Sequence, residues 1–303
     1  MMTVQQQSEA FLKGLAGRKR YPIKPATMAA YRSYIRTWIV PQLGRLAVEN
    51  VENDTLRELV SKMSDSGLSA STMTGVTNCV KQMVGSVTDK RGNELYPRKW
   101  NNEFIDLPVV DPLKQKNPVL SGSEVTGAIL KSAGQYRLLF TILAASGLRI
   151  SEALALKPVP SEKSSFWDGQ RGILVIRKQL YHGKEQETKT GAGVREVDIS
   201  SDLNRHIQEF GPVGEWLFTN EYGSRPMRLR TAYNVAQSVG VPGFHSLRRF
   251  RVTHLENVGV PRGLVQFWAG HAGKEVTDRY VKIGQDVAAR KQWAEKAGLG
   301  FEL

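Results

Sequence analysis

Six side chains in the second half of this sequence have the types and spacing needed to cleave a phosphodiester without a metal. A phosphodiester gains negative charge on its non-bridging oxygens as a nucleophile adds, so fixed cationic donors lower the barrier. Arginine suits this role better than lysine, because its planar fork gives two parallel hydrogen bonds and keeps its proton. The candidates are, in chain order, Arg149, Lys189, His245, Arg248, His271 and Tyr280.

Tyrosine can supply the attacking oxygen if a neighbouring base removes its proton. For Tyr280 that base is His245 or His271. The leaving sugar oxygen needs a proton in turn, and a lysine presented on a hairpin can give it. The segment 187–199 contains Lys189 and is predicted to form two short strands around a Gly191–Gly193 turn. Lys184 lies close by and is the alternative donor.

These motifs resemble those of the tyrosine recombinases, the phage-integrase family of site-specific DNA recombinases. The first box of that family is matched by residues 146–152, Ser-Gly-Leu-Arg-Ile-Ser-Glu, and its hairpin lysine by the Lys-Thr-Gly at 189–191. The second box is matched by His-Ser-Leu-Arg-Arg at 245–249, and the last by Gly-His at 270–271 leading to the tyrosine at 280. The resemblance extends over residues 118–290.

The resemblance implies a tyrosine that attacks the scissile phosphate, leaving a 3′-phosphotyrosyl link and a free 5′-hydroxyl. Neither a metal nor another cofactor is then required. By this resemblance Tyr280 is the nucleophile, and Arg149 and Arg248 bind the phosphate. Lys189 is the general acid, and His245 takes part in proton transfer. His271 donates a hydrogen bond to the phosphate, and Glu152 supports the arginines.

Each residue also has a simpler interpretation. Arg149 and Glu152, three residues apart at the start of a helix predicted over 150–156, can form an ordinary helical ion pair. Tyr280 can be a buried aromatic residue. Lone histidines are more often packing or capping residues, and we interpret three of them in this way: His182, His206 and His254.

Composition agrees with a nucleic-acid partner. The chain of 303 residues has 42 basic and 29 acidic side chains, a formal charge of +13, and its pI is about 9.8. Residues 1–116 carry 17 basic and 11 acidic side chains, so both halves are basic. We therefore expect both to contact double-stranded DNA.

Other classes of protein are disfavoured. No apolar run reaches the roughly eighteen residues of a transmembrane helix, and the first residues lack a signal-peptide core. The single cysteine, Cys79, excludes an internal disulfide, and no metal-binding motif is present. We expect a cytoplasmic, nucleoid-associated protein of a prokaryote or phage, with no membrane contact.

The sequence predicts two domains, a helical one over 1–112 and a second over 120–303, joined by a proline-rich linker over 113–119. By the resemblance the first is a core-binding domain and the second is the catalytic domain, so we expect a mainly α fold with a small antiparallel β-sheet in an α+β catalytic domain. Apolar spacing predicts helices over 27–43, 54–63 and 69–87. Ser121 and Glu124 have capping-box spacing at the start of another helix.

A basic run near the amino terminus is a candidate for phosphate contact, although such runs are often only solvated: Arg18, Lys19, Arg20 and Lys24. The carboxy-terminal segment 281–303 shows an apolar helix face at Ala289, Trp293 and Ala297. Composition favours packing of that face on its own domain. The resemblance favours exchange of this segment between neighbouring protomers of a tetramer bound to two DNA sites. An accessory DNA-bending protein is a further possible partner.

Two further functions are compatible with the same residues. A type IB topoisomerase-like enzyme would use the same nucleophile and arginines to relax DNA. A regulatory DNA-binding protein would keep the fold without cutting, although it would have no need of the full set of six residues.

Overall fold

Helices form most of the described backbone, and the named strands lie in the second half of the chain. The computed structural model describes residues 1–109, 118–188, 193–211, 214–270 and 286–303. The chain divides into two compact units, Met1–Lys114 and Gln115–Leu303. Most of the predicted linker, residues 113–119, lies outside the described residues.

The first unit is helical in its described part. Its elements are α1 (Val4–Ala16), α2 (Pro25–Tyr34), a π-helical segment (Ile35–Ile39), α3 (Val40–Leu43), a 3-10 turn (Val48–Asn50), α4 (Asn53–Asp65) and α5 (Ala70–Gly85). The helices predicted over 54–63 and 69–87 are thereby confirmed. Their apolar faces meet in one core that includes Ile39, Leu56, Met63, Val76 and Met83.

Pro41 accounts for the change of helix type between α2 and α3. The Val40 N–H donates to the carbonyl of Ile35, five residues earlier. Proline has no N–H and its ring crowds the carbonyl four residues before it, so the preceding turn widens. The chain remains helical through the whole predicted range 27–43. Ile35 and Ile39 are buried, as expected for a core-facing stripe.

The second unit combines helices with two small sheets. Its helices are α6 (Gly122–Lys131), α7 (Gly134–Ser146), α8 (Ile150–Ala153), α9 (Ser201–Phe210), α10 (Leu229–Ser238), α11 (Phe244–Asn257), α12 (Arg262–Ala269) and α13 (Val287–Ala297). The predicted capping box at the start of α6 is confirmed. The Glu124 N–H donates to Ser121 Oγ at 3.2 Å, and the Ser121 N–H donates to Glu124 Oε2 at 2.7 Å.

The strands form a four-stranded and a two-stranded sheet. They are β1 (Leu156–Lys157), β2 (Ser165–Asp168), β3 (Ile173–Ile176), β4 (Lys178–Tyr181), β5 (Lys184–Glu187) and β6 (Arg195–Asp198). The larger sheet has the order β1-β2-β3-β6, and β4 pairs with β5. The β1–β2 pair is parallel, whereas the other named pairs are antiparallel. A segment of several residues separates β1 from β2, which permits the parallel pairing.

The strands on either side of residues 189–192 do not pair with each other, which corrects the predicted hairpin over 187–199. β5 pairs with β4, and β6 pairs with β3, with Ile173 opposite Asp198. The tight turn of the β4–β5 hairpin is instead at His182 and Gly183, both with positive φ. The second predicted strand corresponds to β6, whereas β5 shares only Glu187 with the predicted range. Local turn signals do not determine partner choice, which depends on contacts distant in sequence.

The core of the second unit is built around α7. Every residue from Leu138 to Ser146 is buried, and α11 packs against this helix. The last helix, α13, packs on its own unit: Ala294 and Ala297 are buried in the same core. Within the described ranges, no helix is long and apolar enough to cross a membrane.

Candidate active site

Arg149 follows the end of α7, where Gly147 turns the chain. Gly147 has φ 69° and caps the helix by donating its N–H to Leu143. Glycine adopts this left-handed conformation without the penalty that a Cβ brings. The chain then enters α8 with Arg149 at the N-cap. The Arg149 side chain is 30% exposed, so it borders both the interior and solvent.

Glu152 binds Arg149 twice. Arg149 Nη1 lies 2.8 Å from Glu152 Oε1, and the Arg149 backbone N–H donates to Oε2 at 3.0 Å. The helical ion pair of the simpler interpretation is therefore present. However, Glu152 is only 2% exposed, unlike the carboxylate of a surface pair. The predicted helix over 150–156 ends at Ala153, because Leu156 already belongs to β1.

Arg248 lies on α11 and is 3% exposed. Its Nη1 donates to the Gly147 carbonyl at 2.8 Å, and its Nη2 donates to the carbonyl of Ala269. Burial lowers the pKa of Arg248 to about 10, with a further contribution from Arg149 that Glu152 opposes. The guanidinium stays protonated at neutral pH. It thus brings a fixed positive charge to the turn that precedes Arg149.

His245 lies one helical turn before Arg248, on the same face of α11. Partial burial lowers the pKa of His245, and the positive charges of Arg249, Arg248 and Arg149 lower it further. The imidazole is therefore neutral at physiological pH. A neutral imidazole beside cations can accept a proton, which is the role of a general base.

Arg195, at the start of β6, joins this cluster, although none of the sequence motifs described above contains it. Its Nη2 lies 2.9 Å from Glu152 Oε2, and the side chain is 1% exposed. Its Nε donates to the Trp268 carbonyl at 2.7 Å, and its Nη1 donates to the Gly193 carbonyl at 2.9 Å. The available signal was weak: strand alternation puts Arg195 on the same face as the buried Val197.

The two arginines keep Glu152 ionised in the interior. Burial raises the pKa of Glu152, but the charge and hydrogen bond of Arg195, followed by those of Arg149, outweigh it. The pKa therefore lies below its ordinary value. Removing either arginine would leave a buried carboxylate with less compensation, which is costly.

The end of α12 binds these arginines at three consecutive carbonyls. Trp268, Ala269 and Gly270 accept hydrogen bonds from Arg195 Nε, Arg248 Nη2 and Arg149 Nη2, the last at 3.4 Å. The carboxyl end of a helix presents free carbonyls and a partial negative charge, so cations are stabilised there. Three cationic groups distant in sequence are thereby gathered at one turn.

This arrangement can stabilise a phosphate, and the sequence comparisons agree. The sequence profile described as "Phage integrase family" matches residues 125–285, more than half of the chain. The chain belongs to the phage integrase family. It is a tyrosine-type site-specific recombinase, an enzyme that cleaves and rejoins DNA strands. The matched range contains all six residues singled out in the sequence.

Curated relatives of the recombinase carry similar descriptions. A "Tyrosine recombinase XerC-like" protein of Caldanaerobacter subterraneus subsp. tengcongensis is 25% identical over 288 residues, 84% of this chain and 73% of that protein. A "Putative integrase/recombinase" of Sinorhizobium fredii is 29% identical over 205 residues, 63% of this chain and 74% of that protein.

Solved structures share the fold of the recombinase. The Tn1549 transposon integrase in complex with transposon right end DNA is 19% identical, with a TM-score of 0.67, over 95% of this chain and all of that one. A lambda integrase dimer bound to a core site is 16% identical, with a TM-score of 0.63, over 92% of this chain and 77% of that one. At these identities the likeness concerns fold alone.

Three predicted residues of the recombinase lie outside the described residues: Lys189, His271 and Tyr280. The structure does describe the residue that directly precedes two of them in the chain, Thr188 before the lysine and Gly270 before the histidine. The alternative general acid, Lys184, is exposed at the start of β5, opposite Tyr181 in the hairpin.

The other described histidines of the recombinase lie outside the arginine cluster. His182 is in the β4–β5 turn against the Tyr181 ring, and His206 lies 4.0 Å from Glu209. His254, on α11, stacks on Phe250, and its Nε2 is 2.8 Å from the Ala297 carbonyl. The packing role predicted for His254 is confirmed.

In the first unit of the recombinase, the predicted basic run is exposed in the segment between α1 and α2: Arg18, Lys19, Arg20 and Lys24. Arg20 stacks on Tyr21 at 5.6 Å. Sequence reasoning missed a groove along α2 and the π-helical segment. It is lined by Pro25, Met28, Ala29, Arg32, Ser33 and Arg36, so two cations lie on a partly apolar surface.

Proposed function

We propose that this recombinase cleaves double-stranded DNA through a 3′-phosphotyrosyl intermediate formed by Tyr280. The observation that carries the proposal is the convergence of Arg149 and Arg248. These residues belong to different elements, yet they donate to the adjacent carbonyls of Gly270 and Ala269. Two fixed guanidinium groups at one turn are suited to a phosphate.

In the proposed reaction the Tyr280 oxygen forms a bond to phosphorus, and the bond from phosphorus to the 5′-oxygen breaks. His245 accepts the tyrosine proton, and Lys189 gives a proton to the leaving 5′-oxygen. Arg149 and Arg248 neutralise the charge that develops on the non-bridging oxygens. His271 donates a hydrogen bond to the same phosphate, while Glu152 holds Arg149. Attack of a 5′-hydroxyl reverses these steps and rejoins the strands.

The protonation states described above support this division of labour. The lowered pKa of His245 leaves the imidazole free to accept a proton at neutral pH. The arginines remain charged, as a clamp requires. The link retains the energy of the phosphodiester, so neither a metal nor a nucleotide cofactor has a part in the scheme.

We also propose how the rest of the chain serves the reaction. The first unit acts as a core-binding domain, with Arg18, Lys19, Arg20 and Lys24 on phosphates and Arg32 and Arg36 in the groove along α2. Because similar folds include the Tn1549 transposon integrase and lambda integrase, we assign the chain to a mobile element of a prokaryote or phage. A solved lambda integrase is a tetramer bound to a Holliday junction, and we propose the same assembly here.

Covalent capture tests the proposal. The protein is incubated with nicked fragments of the source genome and denatured, and only protein-linked DNA is recovered and sequenced, with Tyr280→Phe as the matched control. We expect capture at one repeated sequence with the wild type and none with the variant. Equal capture by the variant would refute Tyr280 as nucleophile. DNA binding without any covalent product would favour the regulatory DNA-binding protein. Relaxation of supercoiled DNA by a monomer would favour the topoisomerase-like enzyme.

The choice between Lys189 and Lys184 needs a substrate whose leaving group requires no proton. A duplex with sulfur at the bridging 5′ position has such a leaving group, because a thiolate is stable at neutral pH. We expect the Lys189→Ala variant to leave ordinary DNA uncleaved but to cleave the sulfur substrate. The Lys184→Ala variant should cleave both substrates. The opposite pattern would assign the proton to Lys184.

A further inference from the structure

We propose that Arg195 is the positioning residue of the site: it orients Glu152, and through it Arg149, while fixing the chain at Gly193 and Trp268. This inference rests on the proposed function, in which Arg149 binds the scissile phosphate. Arg195 itself touches no DNA in the proposal, because its side chain is only 1% exposed. Its effect on the reaction must pass through its neighbours.

The guanidinium of Arg195 makes hydrogen bonds to three separate parts of the chain. Nη1 and Nη2 donate to the two oxygens of Glu152 at 3.3 and 2.9 Å. Nη1 also donates to the Gly193 carbonyl at 2.9 Å, and Nε donates to the Trp268 carbonyl at 2.7 Å. One planar group therefore ties together α8, the entry to β6 and the end of α12.

The contact with Glu152 determines what Glu152 can offer to Arg149. Each carboxylate oxygen accepts from both arginines: Oε1 from the two Nη1 groups, and Oε2 from Arg195 Nη2 and the Arg149 backbone. Without Arg195 the buried carboxylate would have Arg149 as its remaining cationic partner in the described part of the chain. It would then draw that guanidinium inward, away from a phosphate.

The contacts with the two carbonyls fix the chain beside two other candidate residues. Gly193 is the first described residue after the segment that contains Lys189, and Trp268 lies two residues before Gly270. The approach is so close that a Cβ on Gly270 would lie 2.9 Å from Arg195 Cζ, and Gly270 has φ +63°. The Arg195 contact is thus a second reason for glycine before His271.

Lysine cannot replace this arrangement. Its ammonium is a single centre on a flexible stem, whereas the four contacts of Arg195 diverge in the plane of a rigid fork. Arg195→Lys keeps the charge and loses the geometry. Arg195→Met keeps much of the volume and loses both. The two variants separate charge from positioning.

Arg290 offers a matched control. It is similarly buried, with 3% of its side chain exposed, and it pairs with two carboxylates of β6, Glu196 and Asp198, each at 2.8 Å. Its pairs do not include Glu152. We therefore compare Arg195→Lys and Arg195→Met with Arg290→Lys and Arg290→Met. The measurements are the thermal midpoint, the dissociation constant for a nicked duplex carrying the captured sequence, and the rate of covalent linkage within the preformed complex.

We expect all four variants to lower the thermal midpoint. Only the Arg195 variants should slow covalent linkage, on the order of a hundredfold for a misplacement of about 1 Å, with the dissociation constant unchanged. Adding Glu152→Gln to Arg195→Lys should slow linkage by less than the product of the two single effects, because both changes weaken the Arg195–Glu152 contact. Wild-type linkage rates in folded Arg195→Lys would overturn the proposal, and so would equal slowing by the Arg290 variants.

A measurement without DNA separates this proposal from the proposed function. If the wild type forms no covalent link, the proposed function fails. The anchoring by Arg195 is then decided by amide hydrogen exchange across Arg262–Ala269. We expect faster exchange there in Arg195→Met than in Arg290→Met, and equal rates in the two would refute the anchoring.

Discussion

Glu152 is shared by two arginines, and the charges around it do not balance. Arg149 and Arg195 bind this carboxylate, Arg248 adds a third positive charge, and the lowered pKa of His245 keeps that ring neutral. Among the described residues of the cluster, one negative charge faces three positive ones. A phosphate would supply the missing negative charge, so the site is organised for an anion before DNA arrives.

Arg149→Lys tests whether the forked geometry matters beyond the charge. We expect covalent linkage to slow by on the order of a hundredfold or more, because an ammonium does not reproduce two parallel hydrogen bonds. DNA affinity should change little. The matched control is Arg171→Lys, a partly exposed arginine paired with Glu196 at 2.9 Å. Unchanged linkage in Arg149→Lys would argue against the clamp.

The lowered pKa of His245 predicts the acid limb of the pH profile. A base works in its neutral form, so linkage at limiting DNA should persist as pH falls below the ordinary histidine pKa of about 6.5. It should be lost as pH falls through the lowered pKa. Arg249→Gln removes one positive charge that lowers this pKa, so the limb should shift to higher pH. A limb that does not respond to Arg249→Gln would contradict His245 as the base.

At the scale of elements, the turn between α7 and α8 positions two functional groups at once. Gly147 caps α7 in a left-handed conformation, its carbonyl accepts from Arg248 at 2.8 Å, and Arg149 follows two residues later. A change in this turn should therefore disturb both arginines. The packing of α11 on α7 keeps Arg248 within hydrogen-bonding distance of the Gly147 carbonyl.

Gly147→Ala and Gly211→Ala form a matched pair that tests this turn. Both glycines end a helix with positive φ, 69° and 61°. A Cβ at Gly147 would lie 3.3 Å from Arg251 Cγ, whereas one at Gly211 would meet no atom of the described residues within 4 Å. Each substitution should cost about 1 kcal/mol of unfolding free energy for the left-handed conformation. Only Gly147→Ala should also slow covalent linkage, measured under conditions where both variants are folded. Equal linkage rates would show that the turn does not position the arginines.

Local signals predicted most elements, whereas distant contacts escaped the sequence. The capping box at Ser121 and the helical periodicity over 54–63 depend on neighbours within a few residues, and both predictions are confirmed. The pairing of β5 with β4 and of β6 with β3, in two separate sheets, depends on contacts distant in sequence. Arg195 was missed for the same reason: its partners are brought together only by folding. Motif spacing identified Arg149 and Arg248, which do meet at one turn.

At the scale of the whole molecule, positive charge is spread over both units. The first unit, Met1–Lys114, contains 16 basic and 11 acidic side chains out of 42 and 29 in the chain. Each unit can therefore neutralise phosphates by itself. Binding should be steeply salt-dependent, because each neutralised phosphate releases counterions.

Replacing Arg32 and Arg36 together with alanine tests the groove along α2. We expect weaker DNA binding and a plot of log affinity against log salt that is less steep by about 2 units. The control is Arg205→Ala, since Arg205 is exposed but already paired with Asp202. A slope unchanged by the double variant, measured by titration at several salt concentrations, would remove the groove from the DNA interface.

The close approach of Arg195 to Gly270 also bears on how this sequence can diverge. A side chain at position 270 would displace the guanidinium, and a smaller residue at position 195 would leave Glu152 without one of its cations. A substitution at position 195 or at position 270 alone would therefore disturb the site. In related lineages we expect the two to be inherited as a pair, with any loss of the glycine accompanied by a new residue at 195 and a new partner for Glu152.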